Sequence, residues 1–213
     1  MKKIALSLVA GIVAPIVLQA GGIGVYVPYS LGIERTGTVY SWEGDNDATI
    51  DHTLKNKTGI GIALATNLGK ESVFGYKVGI EYTNPEVDSP YATTAADKYA
   101  VIQTLEFGVV NTNVVKVWLG PRFDIAYETY DNGYGFSRTG MEFGIAPAVG
   151  INVNITDYIA ITFDLDYNFA WQGGSASGDI YGTWDTYESY DMSSTGPSAR
   201  LGVFFKWDEE SYY

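Results

Sequence analysis

Four stretches of this chain alternate strictly between apolar residues and small or charged ones. In Met141 to Asn154 one parity reads Met141, Phe143, Ile145, Pro147, Val149, Ile151 and Val153. The other reads Glu142, Gly144, Ala146, Ala148, Gly150, Asn152 and Asn154. A period of two is that of a β-strand, whose successive side chains point to opposite faces. Phe74 to Tyr82, Val115 to Tyr127 and Ile159 to Trp171 repeat the pattern. Their second parity holds Gly75, Lys77, Gly79 and Glu81; Lys116, Trp118, Gly120, Arg122 and Asp124; and Thr162, Asp164, Asp166 and Asn168. A soluble sheet would turn such charges to water. Here they share their face with glycine and alanine, as an enclosed surface would, so the apolar face is the one left outside.

Read along its length, the chain holds eight alternating segments: Gly22 to Glu34, Thr58 to Leu68, Phe74 to Thr83, Tyr99 to Val109, Val115 to Tyr127, Gly140 to Asn154, Ile159 to Trp171 and Ser198 to Trp207. No helical periodicity interrupts them. Short turn-forming connections (Gly69 to Ser72, Asn111 to Asn113, Asn154 to Tyr158) lie between long polar ones (Arg35 to Lys57, Asn84 to Lys98, Glu128 to Thr139, Gln172 to Pro197). The segments match the ~9–11 residues that a tilted strand needs to cross a bilayer. A sheet survives there only when closed, because an open edge leaves backbone groups unpaired in lipid. Tyr82, Tyr99, Tyr127, Tyr167 and Trp171 near the long-loop end, and Phe74 and Trp207 near the short-turn end, stand where interfacial girdles belong. The expected fold is all-β: an eight-stranded antiparallel up-and-down transmembrane barrel with its apolar face toward lipid.

Met1 to Ala20 has a basic start, Lys2 and Lys3, an apolar stretch from Ile4 to Leu18, and a small-residue end at Ala20. It reads as a cleaved secretory signal, too short for a membrane span. Without Lys2 and Lys3 the chain carries 11 basic and 25 acidic residues, a net charge of −14. That balance argues against nucleic acid and anionic lipid as partners. The absence of cysteine excludes disulfides and lipoprotein attachment.

The last segment, "RLGVFFKW", places Arg200, Gly202, Phe205 and Trp207 in a polar-x-Gly-x-x-aromatic-x-aromatic pattern. Together with "AVGINVNITDYIAITFDLDYNF" (Ala148 to Phe169), it resembles the small eight-stranded outer-membrane barrels of the OmpA/OmpX type. The resemblance covers residues 21–207 and implies insertion by the outer-membrane assembly machinery, for which those four residues form the signal. It implies a Gram-negative outer membrane with lipid and lipopolysaccharide as neighbours, and no cofactor. "DEESYY", 208–213, reads as a short periplasmic tail in place of the cell-wall-binding domain of larger relatives.

By parity the lumen receives Lys77, Lys116, Arg122, Arg200 and Lys206 against Glu81, Glu106, Asp124, Glu142, Asp164 and Asp166. An eight-stranded barrel is just wide enough for side chains to fill, and buried charges require partners. The expectation is a plugged lumen with a structural or surface-interaction role. A narrow channel for small solutes is the alternative. Centring one loop on Tyr134 sets Pro121 opposite Pro147, Trp118 opposite Gly150 and Arg122 opposite Ala146. Centring the next turn on Thr156 sets Asp164 beside Ala148 and Asp166 beside Ala146. Arg122 is then expected to pair with Asp164 or Asp166 across one alanine.

The remaining candidates are on loops. His52, the sole histidine, has Asp51 beside it and Ser41 ten residues before the Asp, but no spacing enforces a nucleophile–base pair, so no enzyme activity is expected. Asp45 and Asp47 have calcium-like spacing without the glycine and distal glutamate of a calcium loop, so no metal site is assigned. Tyr181, Trp184, Tyr187 and Tyr190 recur every third residue among Gly, Ser, Thr and Asp. Such rigid aromatics suit contact with an external protein or glycan.

Overall fold

The computed structural model describes residues 21–41, 47–55, 59–66, 68, 73–88, 93–133, 135–178 and 187–207. Its eleven strands are β1 (Gly22–Ser30), β2 (Ile33–Ser41), β3 (Ala48–Lys55), β4 (Ile60–Ala65), β5 (Phe74–Thr83), β6 (Glu86–Asp88), β7 (Thr93–Asn111), β8 (Val115–Asp131), β9 (Ser137–Asn154), β10 (Ile159–Ser177) and β11 (Tyr187–Lys206). Every pairing is antiparallel. The lower ring closes as β1-β4-β5-β7-β8-β9-β10-β11, because β1 also pairs with β11 and β7 with β8. An upper ring, β2-β3-β6-β7-β8-β9-β10-β11, shares its five longest strands with the lower one. The result is a barrel of eight staves, three of them broken partway up.

The alternation sorts the faces. Met141, Phe143, Ile145 and Val149 of β9 are exposed, and the residues between them are buried. Tyr99, Tyr127, Tyr167 and Trp171 also point out, as do Phe74 and Trp207 at the other end. Rows of paired residues climb around the wall. Phe123, Ile145 and Phe169 lie on one outward row that continues into Thr195, Glu34 and Thr53. Strands tilted by 35–45° and ~4.8 Å apart raise such a row by roughly 3 Å per strand, so it passes from lipid into water.

The strands rise further than the sequence reading places them. The expected loop Arg35 to Lys57 contains β2 and β3; Asn84 to Lys98 contains β6 and the start of β7; and β8 to β11 extend into the expected third and fourth long loops. Gly22 to Glu34 is not one segment but breaks at Leu31 and Gly32, where Gly32 has φ 104°. The reason is an inversion of polarity. Above the belt the outside is water, so Thr36, Asp51, Thr139 and Ser175 point outward. Val39, Leu54, Val87, Tyr130, Phe136, Tyr190 and Met192 pack inside as an apolar core. Polar residues alternating with scattered apolar ones read as loop; they are strands with a conventional core.

One register also differs. Asp164 pairs with Gly150 and Asp166 with Ala148, two residues from the expected positions. The turn is centred on Asp157 rather than Thr156, because Thr156 Oγ1 accepts from the backbone N–H groups of Tyr158 and Ile159 and holds a wider loop. Pro121 opposite Pro147, Trp118 opposite Gly150 and Arg122 opposite Ala146 are present as drawn. Residues 1–20 and 208–213 lie outside the described residues.

Candidate functional site: the charged lumen

The inward parity of the long strands carries fourteen charged side chains, seven of each sign, in two groups. The lower group is built on β5, β7, β8, β10 and β11. Arg122 Nη2 lies 2.9 Å from Asp164 Oδ2, its other Nη pairs with Asp166, and its Nε donates to Thr104 Oγ1 at 3.0 Å. Ala146 stands between Arg122 and Asp166's strand with only a methyl group, so the guanidinium crosses β9 to reach β10. Arg200 joins Asp166 at 2.5 Å to Glu81, across the lumen on β5, at 2.9 Å. Lys77 bridges Asp164 at 3.1 Å and Glu106 at 3.3 Å, and Lys116 takes the other Glu106 oxygen at 3.2 Å. Four cations thus meet four carboxylates. Trp118, fully buried, lies over Gly150 and under the Lys77 ammonium, 5.4 Å from its ring.

The upper group was not singled out in the sequence, apart from Glu142 and Asp124. Arg35 of β2 forms a two-point contact with Glu128 at 2.6 and 3.0 Å and a third bond to Glu142 at 3.1 Å. Lys98 reaches Glu142 at 2.5 Å, and Arg138 reaches Glu128 at 3.3 Å while its guanidinium stacks over Tyr130 at 4.7 Å. Arg35, Lys98, Glu128 and Arg138 were missed because each sits in a stretch read as loop. Inward parity continued past the aromatic girdle would have found them. Glu128 lies above the lipid belt. Burial alone would raise its carboxyl, but the Arg35 and Arg138 guanidiniums hold it down to about 2.

Two expected members behave differently. Asp124 is buried, lies over Gly144, and makes no ion pair or hydrogen bond among the described residues. Lys206 meets no carboxylate in the lower group; it donates to Asn154 Oδ1 at 2.9 Å on the short-turn rim. Gly202 lies beneath the Tyr26 side chain, while Phe205 and Trp207 face outward.

The charge partition is complete. Among residues with described side chains, every lysine and arginine points into the lumen or its rim, and the exposed charges are all acidic: Glu34, Asp47, Asp51, Asp131, Asp157, Glu188 and Asp191.

Of the loop candidates, Tyr190 is not a surface contact. It is 1% exposed, inside the upper core, with burial pushing its hydroxyl up to about 12. It was read as loop because its neighbours are Ser, Asp and Glu, which face water from the same strand. Tyr181 and Trp184 lie outside the described residues, as does the side chain of Tyr187. Register sets His52 opposite Arg35, and Ser41 stands six residues further along β2. That places their backbones roughly 20 Å apart at ~3.3 Å per residue. Asp47 accepts from the Ser41 backbone N–H at 3.2 Å, and Asp45 lies outside the described residues. Among the described residues no group of three or more acidic or histidine side chains could hold a metal.

No protein-family model and no curated protein sequence matches the chain. Solved structures do. The outer membrane protein OprG from Pseudomonas aeruginosa superposes with a TM-score of 0.58 at 14% identity, over 89% of this chain and 97% of that one. The outer membrane protein AlkL, solved in lipid bilayers, gives 0.49 at 11% identity over 92% and 94%. Ail, the attachment invasion locus protein of Yersinia pestis, gives 0.39 at 12% over 87% and 99%. The fold is that of small outer-membrane β-barrels.

Proposed function

From the premise that the chain is an integral outer-membrane β-barrel, we propose that its lumen is plugged and that it serves as a structural and surface-interaction protein of the envelope. The observation that carries this reading is the pair of ion networks stacked along the lumen: four cations on four carboxylates below, and Arg35, Lys98 and Arg138 on Glu128 and Glu142 above. Arg122 and Arg200 tie β8, β10 and β11 to β5 straight through the centre. Above the upper network, Tyr130, Phe136, Tyr190 and Met192 fill the mouth with apolar side chains. A wide water column would have to break both networks, and stranding buried charges is costly. What remains for contact with the surroundings is the outer face of the raised wall, acidic and hydroxyl-rich, together with residues 179–186. No enzymatic role is proposed.

The expected result in planar bilayers is no steady conductance from the refolded protein, and conductance from the Arg35→Ala/Arg122→Ala double variant. Steady ohmic conductance of the unaltered protein would overturn the plug.

A second reading, passage of small solutes, has one observation in its favour. Val27 to Ser30 of β1 pair with β11 alone among the described residues, since β4 pairs only with Gly22 to Tyr26. Pro28 to Ser30 also line the space between the two networks, and passage of solutes there would show as solute-selective swelling of liposomes without ionic conductance.

A further inference from the structure

Between the two ion networks lies a chamber of about 60 Å³. Its lower and outer surfaces are unlike each other. Ile33, Leu54, Pro85 and Ile102 give it an apolar side against the broken staves, and Pro28 to Ser30 line it from β1. The opposite side is polar. Arg122, Arg200 and Asp166 there are all spent on one another and on Asp164 and Glu81, and Lys98 is spent on Glu142.

Asp124 is the exception. It is 8% exposed, it lines the chamber, and among the described residues its carboxylate has no ion-pair or hydrogen-bond partner, whereas the other buried carboxylates of the lumen each have at least one. Asn168 Oδ1, also on the chamber wall, is buried and accepts no hydrogen bond. Two acceptors without a partner, the carboxylate of buried Asp124 and the buried Asn168 Oδ1, therefore face one space with an apolar far side. Buried polar atoms are otherwise almost always satisfied, and a buried carboxylate without a partner is the costliest omission of this kind.

We propose that this chamber is a binding site for a small primary alkylammonium ion, with its N–H groups donated to Asp124 and Asn168 Oδ1 and its carbon chain against Ile33, Leu54 and Ile102. The chemistry excludes the simpler cations. A calcium ion takes 6–8 oxygen ligands in a polar cage, and half of this wall is hydrocarbon. An ammonium group needs only a few acceptors and tolerates an apolar tail. A site for one water needs about 10–15 Å³ of this measure of volume, so the chamber accommodates roughly four heavy atoms, the size of propylammonium. The chamber lies between the two ion networks, so a ligand is held there without breaking either, and the inference stands apart from the plug.

The test is saturation-transfer NMR of the refolded protein in lipid nanodiscs, with empty nanodiscs subtracted, titrated with propylammonium, 1-propanol or potassium ion. Propylammonium is expected to bind saturably, 1-propanol of the same size not to bind, and potassium not to displace it at equal concentration. Asp124→Asn, which keeps the shape and removes the charge, is expected to weaken propylammonium binding about tenfold or more, as loss of a charged hydrogen bond does. Equal binding of propanol, equal displacement by potassium, or undiminished binding to a folded Asp124→Asn protein would each overturn the site. If the variant does not fold, the contrast between propylammonium and propanol on the unaltered protein decides.

Discussion

Arg122 and Asp164 sit on strands that are not neighbours, yet their side chains meet at 2.9 Å, because the strand between them presents only Ala146 and Ala148 to the lumen at that height. The barrel is thus held across its diameter as well as around its wall. Arg122→Ala strands Asp164 and Asp166 with fewer partners and is expected to destabilise by about 3–5 kcal/mol, as loss of one member of a buried pair does. Urea unfolding in detergent micelles reads this directly; an unchanged midpoint would mean the charges are solvated.

The upper network makes a pH prediction. Glu128 has its carboxyl held down to about 2 from an ordinary 4.5 by Arg35 and Arg138, against the opposing effect of burial. A depressed folded-state pKa contributes stability that is fully present above the ordinary value and is lost as pH falls through the folded one. The contribution is roughly 3 kcal/mol. Amide exchange of Glu128 to Asp131 and Ser137 to Gly140 should stay protected from pH 7 down to about 4.5 and lose protection progressively toward pH 2. In Glu128→Gln that acid-dependent loss should be absent, with protection already reduced at neutral pH.

Ile145 is exposed on the outer face of β9, midway along the apolar belt. Ile145→Arg should cost about 2–4 kcal/mol at the bilayer midplane. The contrasting change is Thr139→Arg, six residues up the same strand on the same outward parity but in water. That variant should fold with little change, and a cost equal to that of Ile145→Arg would place the belt wrongly.

Trp118 occupies the space over Gly150, where an added Cβ would come 2.4 Å from its ring. Gly150→Ala should therefore push Trp118 off its position beneath Lys77, costing roughly 1–3 kcal/mol as overpacking does. Trp118 fluorescence is the readout, in a background where the other four tryptophans, Trp42, Trp171, Trp184 and Trp207, are replaced by phenylalanine. An unshifted spectrum would show that the ring does not pack there.

Removing Ser175 to Ser193 deletes paired residues of β10 and β11, with Tyr190 and Met192 of the upper core. The belt should still close through β1 and β11, because that seam runs from Gly22–Lys206 to Ser30–Ser198. The expected outcome is a protein that still migrates faster unheated than boiled on a detergent gel but is cleaved by added protease along β2 and β3. Identical mobility would mean the raised wall is needed for closure.

The sequence by itself determined the barrel wherever lipid lies outside. There the alternation has one sign, apolar out and charged in, and it locates β5 to the residue and the lower parts of β8, β9 and β10 to within a few residues. Parity also named Lys77, Glu81, Glu106, Arg122, Asp164, Asp166 and Arg200 as lumen residues. What it could not supply is where the sign of the pattern reverses. Above the belt water is outside, so Arg35, Lys98, Glu128 and Arg138 lie on strands that look like polar loop, and Tyr190 looks like a surface aromatic while it fills a core. Nor could alternation assign partners. It places Asp124 and Asp164 alike on the inward face; turn-centred registers bring Arg122 to Asp164 or Asp166, but only the closed barrel adds Lys77 to Asp164 and leaves Asp124 facing a chamber. Parity is a local property of a strand; which charges meet across a lumen depends on register and tilt summed over several strands, and only the closed barrel fixes those.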